Sequence, residues 1–251
     1  MKASAILNPT TAKRLIAQGV AIHPLVKAAM ARGTVVVTLG TTNGYVASEL
    51  MGTPVDQGAF AAGVIDDQWN VNARLGEATD LVLQNGQSVP FDEEAVLGAL
   101  TAGDIVVKGG NALDPFGTVG VLMAAATGGT VGRYVPIAQA RGVDIVIPIS
   151  VAKSIHTSIV DLTLEMGSRK IELAMGLPCG MHPLAGYVIT EIEALALLFD
   201  VRATHVCSSG IGVGQGSVSL LIEGEEANVR AAFARIEALS QLPEISVEGR
   251  R

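Results

Sequence analysis

Two apolar runs that end in glycines constrain this chain more than any other feature. Thr34 to Leu39 (TVVVTL) leads into GTTNG, Gly40 to Gly44, and Asp104 to Val107 (DIVV) leads into KGGNALD, Lys108 to Asp114. β-Branched residues that are apolar on both faces mark a strand covered on each side, as in a parallel sheet. A strand that ends in glycines and feeds a helix turns backbone N–H groups toward an anion. The two loops therefore predict an α/β fold whose ligand, a small anionic metabolite, sits at strand ends.

Composition agrees with a buried sheet. With 251 residues, 49% of them hydrophobic, the chain can build one large α/β domain or two smaller ones. Mean hydropathy is +0.44, yet no uninterrupted apolar run reaches the roughly 18 residues of a membrane span. The most apolar segment, 119–131, is broken by glycines and threonines. The surplus apolarity predicts a homo-oligomer interface and no membrane partner. The opening MKASAILNPTTAKRL has no apolar stretch of secretory type, so the expected location is cytoplasmic. A net charge of −7 with 17 scattered basic residues leaves no stripe for a nucleic-acid backbone. Cys179 and Cys207 are too few for a disulfide framework and are expected as reduced thiols.

The order of elements extends the picture. Asn8-Pro9 starts a helix over 10–18, and a second runs from Pro24 to Arg32. After the 34–39 strand, a helix is predicted over 45–51. Short strands follow at 61–65 and 80–83, with Asn85-Gly86 as a tight turn. Helices are predicted over 91–100, 117–127 and 137–141, strands over 104–107 and 144–149, and a mixed segment over 154–167. Strand and helix alternation with buried strands predicts a mostly parallel, Rossmann-like sheet flanked by helices. The tail reads strand 187–189, helix from Thr190 with Glu193 as capping box, strand 203–208, strand 218–223, helix 225–240 and strand 244–247. That order is the ferredoxin-like α+β unit, which places a subdomain at 184–251 after an α/β ligand-binding domain at 1–183.

Each polar residue at these loops has a binding reading and a structural one. Thr41, Thr42 and Asn43 offer N–H groups and hydroxyls to a phosphate or carboxylate, and they also suit an ordinary helix start. Lys108 can pair with a phosphate, hold a carbonyl electrophile, or bridge to Asp114. Asn111 can bond a sugar hydroxyl or fill a left-handed turn. Asp114 is either a base or a turn starter before Pro115. Lys153 and His156 lie past another strand end and are further candidates. Cys179, His182, His205 and Cys207 have the chemistry of a tetrahedral metal set, but their spacing matches no zinc module, and no metal or other cofactor is expected. SSGIGVGQGS, 208–217, precedes a strand rather than a helix, so it predicts a hairpin tip and not a nucleotide loop.

With these residues named, the first half resembles the superfamily of ribose-5-phosphate isomerase, glucosamine-6-phosphate deaminase and coenzyme A transferase. The segment PLVKAAMARGTVVVTLGTTNGYVASELMG follows that isomerase's order of helix, glycine, apolar strand, Gly/Thr loop and helix, and IVVKGGNAL resembles its lysine-glycine strand end. The resemblance implies phosphate-ester binding, such as a phosphosugar, by Gly40, Thr41, Thr42, Asn43 and Gly44, with Lys108, Gly109, Gly110 and Asn111 facing them. It also implies isomerase or transferase chemistry, with Lys108 stabilising an oxyanion and Asp114 as the available base. Where the isomerase carries its acids, this chain has Ala95, Gly98 and Gly117. Those departures support the alternative, a non-catalytic metabolite-binding or sensing protein on the same fold.

Overall fold

The computed structural model describes residues 1–63, 65 and 78–243. In chain order the elements are β1 (Lys2–Leu7), α1 (Pro9–Ile22), α2 (Pro24–Arg32), β2 (Thr34–Val37), α3 (Thr41–Met51), α4 (Gln57–Phe60), β3 (Leu81–Gln84), β4 (Gln87–Val89) and α5 (Glu93–Ala99). They continue with β5 (Ile105–Val107), β6 (Ala112–Leu113), β7 (Val119–Met123), α6 (Gly129–Arg141), β8 (Asp144–Pro148), a 3-10 turn (Val151–Lys153), α7 (Ile159–Glu165) and β9 (Gly180–Leu184). The last are β10 (Tyr187–Ile189), α8 (Glu191–Phe199), β11 (Arg202–Ser209), a 3-10 turn (Gly212–Gly214), β12 (Ser217–Glu223) and α9 (Glu226–Ser240). Among the described residues, no helix is long and apolar enough to cross a membrane.

The central sheet is mixed, in the order β10-β8-β5-β2-β3-β4. β10, β8, β5 and β2 run parallel, and β3 and β4 complete the sheet antiparallel. Alternate side chains of each strand serve different cores. Val35, Val37, Ile105, Val107 and Val146 share one with Leu15 and Ile16 of α1, Val46 of α3 and Leu195 of α8. Val36, Val106, Ile145 and Ile147 share the other with Val96 of α5 and Val131 and Tyr134 of α6. Apolar residues on both faces are thus explained by helices on both faces, each fully buried Val or Ile contributing about 1.5–3 kcal/mol. The parallel strands also share one direction, so the chain leaves β2, β5 and β8 at the same edge. That edge carries both glycine loops.

Two smaller sheets flank this layer, β1-β12-β11 and β6-β7-β9, all antiparallel. Here the structure departs from the sequence reading. The expected helix at 117–127 is instead strand β7, hydrogen-bonded on both sides and burying Val119 and Val121. Its glycine is a packing requirement, because a Cβ at Gly120 would lie 2.6 Å from the Met181 sulfur. The expected strand at 61–65 is absent at 61–63 and at 65, and 64 lies outside the described residues. The Asn85-Gly86 turn instead joins β3 to β4, with both residues at positive φ. The expected short helix at 137–141 begins eight residues earlier, at Gly129, and runs through Pro136. GTTNG is not a loop throughout, since α3 already begins at Thr41.

The tail forms its helices, its capping box and its β11–β12 hairpin, but not one self-contained sheet. β10, the first strand of the expected ferredoxin-like order, pairs in parallel with β8 of the central sheet. The edge of β12 is taken by β1, whose residues the sequence reading left unassigned. The expected boundary at Pro183 falls inside β9, opposite Gly120. The expected strand at 244–247 lies outside the described residues.

Candidate functional site

A cleft of about 660 Å³ opens where β2, β5 and β8 end, the edge at which open α/β sheets place their ligands. Gly40, Thr41, Thr42 and Asn43 form one wall. Lys108, Gly109, Gly110 and Asn111 form another, so the two glycine loops line one cleft. Gly44 is buried behind the first wall, where a Cβ would press on the Gln57 side chain. His156 is exposed and outside the lining, whereas Lys153 is inside it.

The first wall is the start of a helix. α3 has no side-chain cap, so the N–H groups of its first turn are left for a ligand or water. α6 begins the same way, uncapped, and Gly129, Thr130 and Arg133 of its first turns line the opposite side. Two helix N-termini with uncapped donors therefore face one cleft. Asn43 fixes the α3 end, donating from Nδ2 to the Thr38 carbonyl (2.8 Å), while its Oδ1 is buried without a partner. Gly110 allows the second wall to lie flat on β7, because a Cβ there would sit 2.1 Å from Val119 Cγ1.

Three lysines supply the charge. Lys108 is only 8% exposed and its ammonium donates to the Gly109 carbonyl at 3.1 Å. Lys153 donates to the Gly110 carbonyl at 2.7 Å. Lys13 reaches the same cleft from α1. None of the three forms a salt bridge among the described residues, and no Asp or Glu occurs among the described lining residues. Burial pushes Lys108 down to about 8 against the pull of Asp80, and burial with the charges of Lys13 and Lys108 brings Lys153 to about 8. Lys13 is lowered by burial as well. Buried and half-buried cations without a counter-charge among the described residues are costly, and an anion would relieve that cost.

A carboxylate behind the cleft holds its parts in place. Asp80, 4% exposed, accepts from the Leu39 N–H (3.0 Å), the Tyr134 hydroxyl (2.8 Å) and Arg133 Nη1 (3.3 Å). It thereby ties the residue before Gly40 to the first turns of α6. Arg133 also reaches Glu93 at 3.3 Å. Glu191, fully buried, accepts from the Ser150 hydroxyl and, at 2.9 Å, from the Val151 N–H, which anchors the turn that presents Lys153.

Asp114, expected as a base, is placed elsewhere and does not line the cleft. Its carboxylate accepts from the N–H groups of Thr118 (2.8 Å), Phe116 (2.9 Å) and Ile159 (3.1 Å). Burial alone would raise its pKa, but these backbone bonds outweigh burial and hold it below the usual carboxylate range. Nor does Lys108 bridge to it. Asp114 closes a turn and caps α7, so Asp114→Ala is expected to cost about 2 kcal/mol of stability and leave the cleft's response to anions intact. Denaturant melts with and without phosphate check this, and a lost phosphate response at unchanged stability would return Asp114 to the site.

The cysteine and histidine set does not form a metal centre. No group of three or more His, Cys, Asp or Glu able to hold a metal occurs among the described residues. Cys179 is buried, and its thiol donates to the Leu177 carbonyl, whereas Cys207 is exposed on β11. SSGIGVGQGS is the tip of the β11–β12 hairpin, as expected.

Two cationic residues of the cleft escaped the sequence reading. Lys13 carried a usable signal, because Ile16, Ala17 and Val20 stand three, four and seven places after it and are all buried. A lysine on the apolar side of a helix has to lead somewhere polar. Arg133 carried none, since its partners Asp80 and Glu93 lie far back in the sequence. Family models, curated proteins and solved structures give no match to this chain.

Proposed function

We propose that the cleft binds a small phosphate ester, with a phosphosugar as the substrate class, and that the protein is an isomerase- or transferase-type enzyme on a Rossmann-like sheet. The observation that carries this reading is the convergence of Lys13, Lys108 and Lys153, without a salt-bridge partner among the described residues, on a cleft with two uncapped helix starts. A volume of about 660 Å³ suits a metabolite. Four parallel strands with helices on both faces support the Rossmann-like reading, and the order of GTTNG before KGGN supports the isomerase and transferase superfamily. Lys108 then stabilises negative charge developing on a carbonyl oxygen.

A second reading, a metabolite sensor without turnover, is favoured by Ala95, Gly98 and Gly117 in place of acids and by the bonded carboxylate of Asp114. Thermal-shift titration with ribose 5-phosphate, inorganic phosphate, a nucleotide and a coenzyme A thioester tests the common core of both. Ribose 5-phosphate and phosphate are expected to raise Tm, by about 2.7 kcal/mol of stabilisation at a hundred times Kd, and Lys108→Met is expected to abolish the shift. No shift with any of these anions would sink both readings. Conversion of the stabilising ligand then selects the enzyme over the sensor.

A further inference from the structure

Resting on the reading of the cleft as a phosphate-ester site, we propose that Lys153 is a nucleophilic amine that forms an imine with the carbonyl carbon of a phosphorylated aldehyde or ketone bound there. No carboxylate lines the cleft among the described residues, and Asp114 is spent on backbone N–H groups, so the basic groups that the described residues turn toward a bound ligand are amines. Of these, Lys153 is the one surrounded by like charge. Lys13 approaches from α1 and Lys108 from the end of β5, Arg133 lines the same cleft from α6, and Asp80 stands behind Lys108 and Arg133 rather than by Lys153. A lysine beside other cations is activated because its proton leaves most easily. The bond from Nζ to the Gly110 carbonyl uses one N–H and leaves the lone pair of the neutral amine free to attack. Glu191, through Ser150 and the Val151 N–H, holds the turn from which Lys153 extends.

The step balances without another reagent. The Lys153 nitrogen bonds the carbonyl carbon as the π pair moves to oxygen, which takes a proton from the Lys108 ammonium. The nitrogen gives up a proton to the Lys108 amine, the re-formed Lys108 ammonium protonates the hydroxyl, which leaves as water, and the resulting iminium N–H passes its proton back to the Lys108 amine. Amine and carbonyl have become imine and one water, with nothing oxidised or reduced. The phosphate, held by the α3 and α6 ends, sets which carbonyl is presented. An amine brought to about 8 carries about 300-fold more neutral form at pH 7 than an ordinary lysine.

The test is reductive trapping of the full chain with glyceraldehyde 3-phosphate and cyanoborohydride, followed by peptide mapping. One adduct per chain is expected, on Lys153. It should form faster than on the exposed Lys2, Lys27 and Lys170, be suppressed by inorganic phosphate, and be weaker with unphosphorylated glyceraldehyde. Its rate should rise with pH and level off above about 8, where surface lysines continue to rise. Lys153→Arg should lose the adduct. Phosphate stabilisation without selective labelling overturns the imine and leaves the anion site standing. An adduct on Lys108 or Lys13 with Lys153 unmodified overturns the assignment. Equal labelling by glyceraldehyde overturns the role of the phosphate, and absent phosphate stabilisation overturns the site itself.

Discussion

Asp80→Ala is expected to lower stability by about 3–5 kcal/mol, the cost of leaving two buried donors without an acceptor, and to lower Tm by about 10 °C. Two buried donors lose their acceptor at once, the Leu39 N–H and the Tyr134 hydroxyl, and Arg133 is left with Glu93 alone. Tyr134 is among the largest fully buried side chains, so its hydroxyl would find no water. Tyr134→Phe removes one of these bonds and is expected to cost only about 1 kcal/mol. Asp80→Ala should also weaken phosphate binding, because Leu39 precedes Gly40, the residue from which α3 starts. Urea denaturation checks both effects. A loss below about 1 kcal/mol for Asp80→Ala would show that Asp80 is not the tie between the two halves of the cleft.

The second large effect is on the pH dependence of the unliganded protein. Lys108 and Lys153 have folded values near 8 against an ordinary 10.5. Between those values the unfolded chain holds more protons than the folded one, so stability rises with pH across the window. Below about 8 the full penalty applies, of order 3 kcal/mol for each lysine. The wild type without anion is therefore expected to be several kcal/mol more stable at pH 9.5 than at pH 7, unusual for a protein of net charge −7. Lys108→Met should remove more than half of that rise, because it deletes one buried cation and relieves the repulsion on Lys153. Saturating phosphate should flatten the wild-type profile by stabilising the charged forms at neutral pH. Chemical melts at pH 7, 8, 9 and 9.5 decide it, and a profile that is flat or falls without phosphate would refute the buried, unpaired state of these amines.

Both ends of the cleft were legible in the sequence because each is a local pattern. TVVVTL into GTTNG and DIVV into KGGN carry strand, edge and loop within a dozen residues, and the structure brings the two loops face to face. Thr190 with Glu193 is equally local and forms as read. What was not legible depends on partners remote in sequence. VGVLM has enough small and apolar residues to pass for a helix, and only β6 and β9 on either side make it a strand. KASAIL looks unremarkable until residues 217–223 offer an edge. Asp114 has the composition of a catalytic acid, and its role was decided by Ile159, 45 residues away. Asp80 escaped notice for the same reason, with donors at 39, 133 and 134.

The pairing of β1 with β12 has a consequence for how the molecule is made. Residues 2–7 are made before the strand they need, which lies at 217–223. Until then their ladder groups must stay hydrated, and Ala5 and Leu7, buried in the finished protein, remain uncovered. The helices between β1 and the central sheet can form early, since their backbone hydrogen bonds are local, whereas closing this sheet spans more than two hundred residues. Closure of this sheet is thereby deferred until residues 217–223 have been made, and the nascent chain carries an open sheet edge while the residues between are added, the interval in which a holding chaperone would matter most.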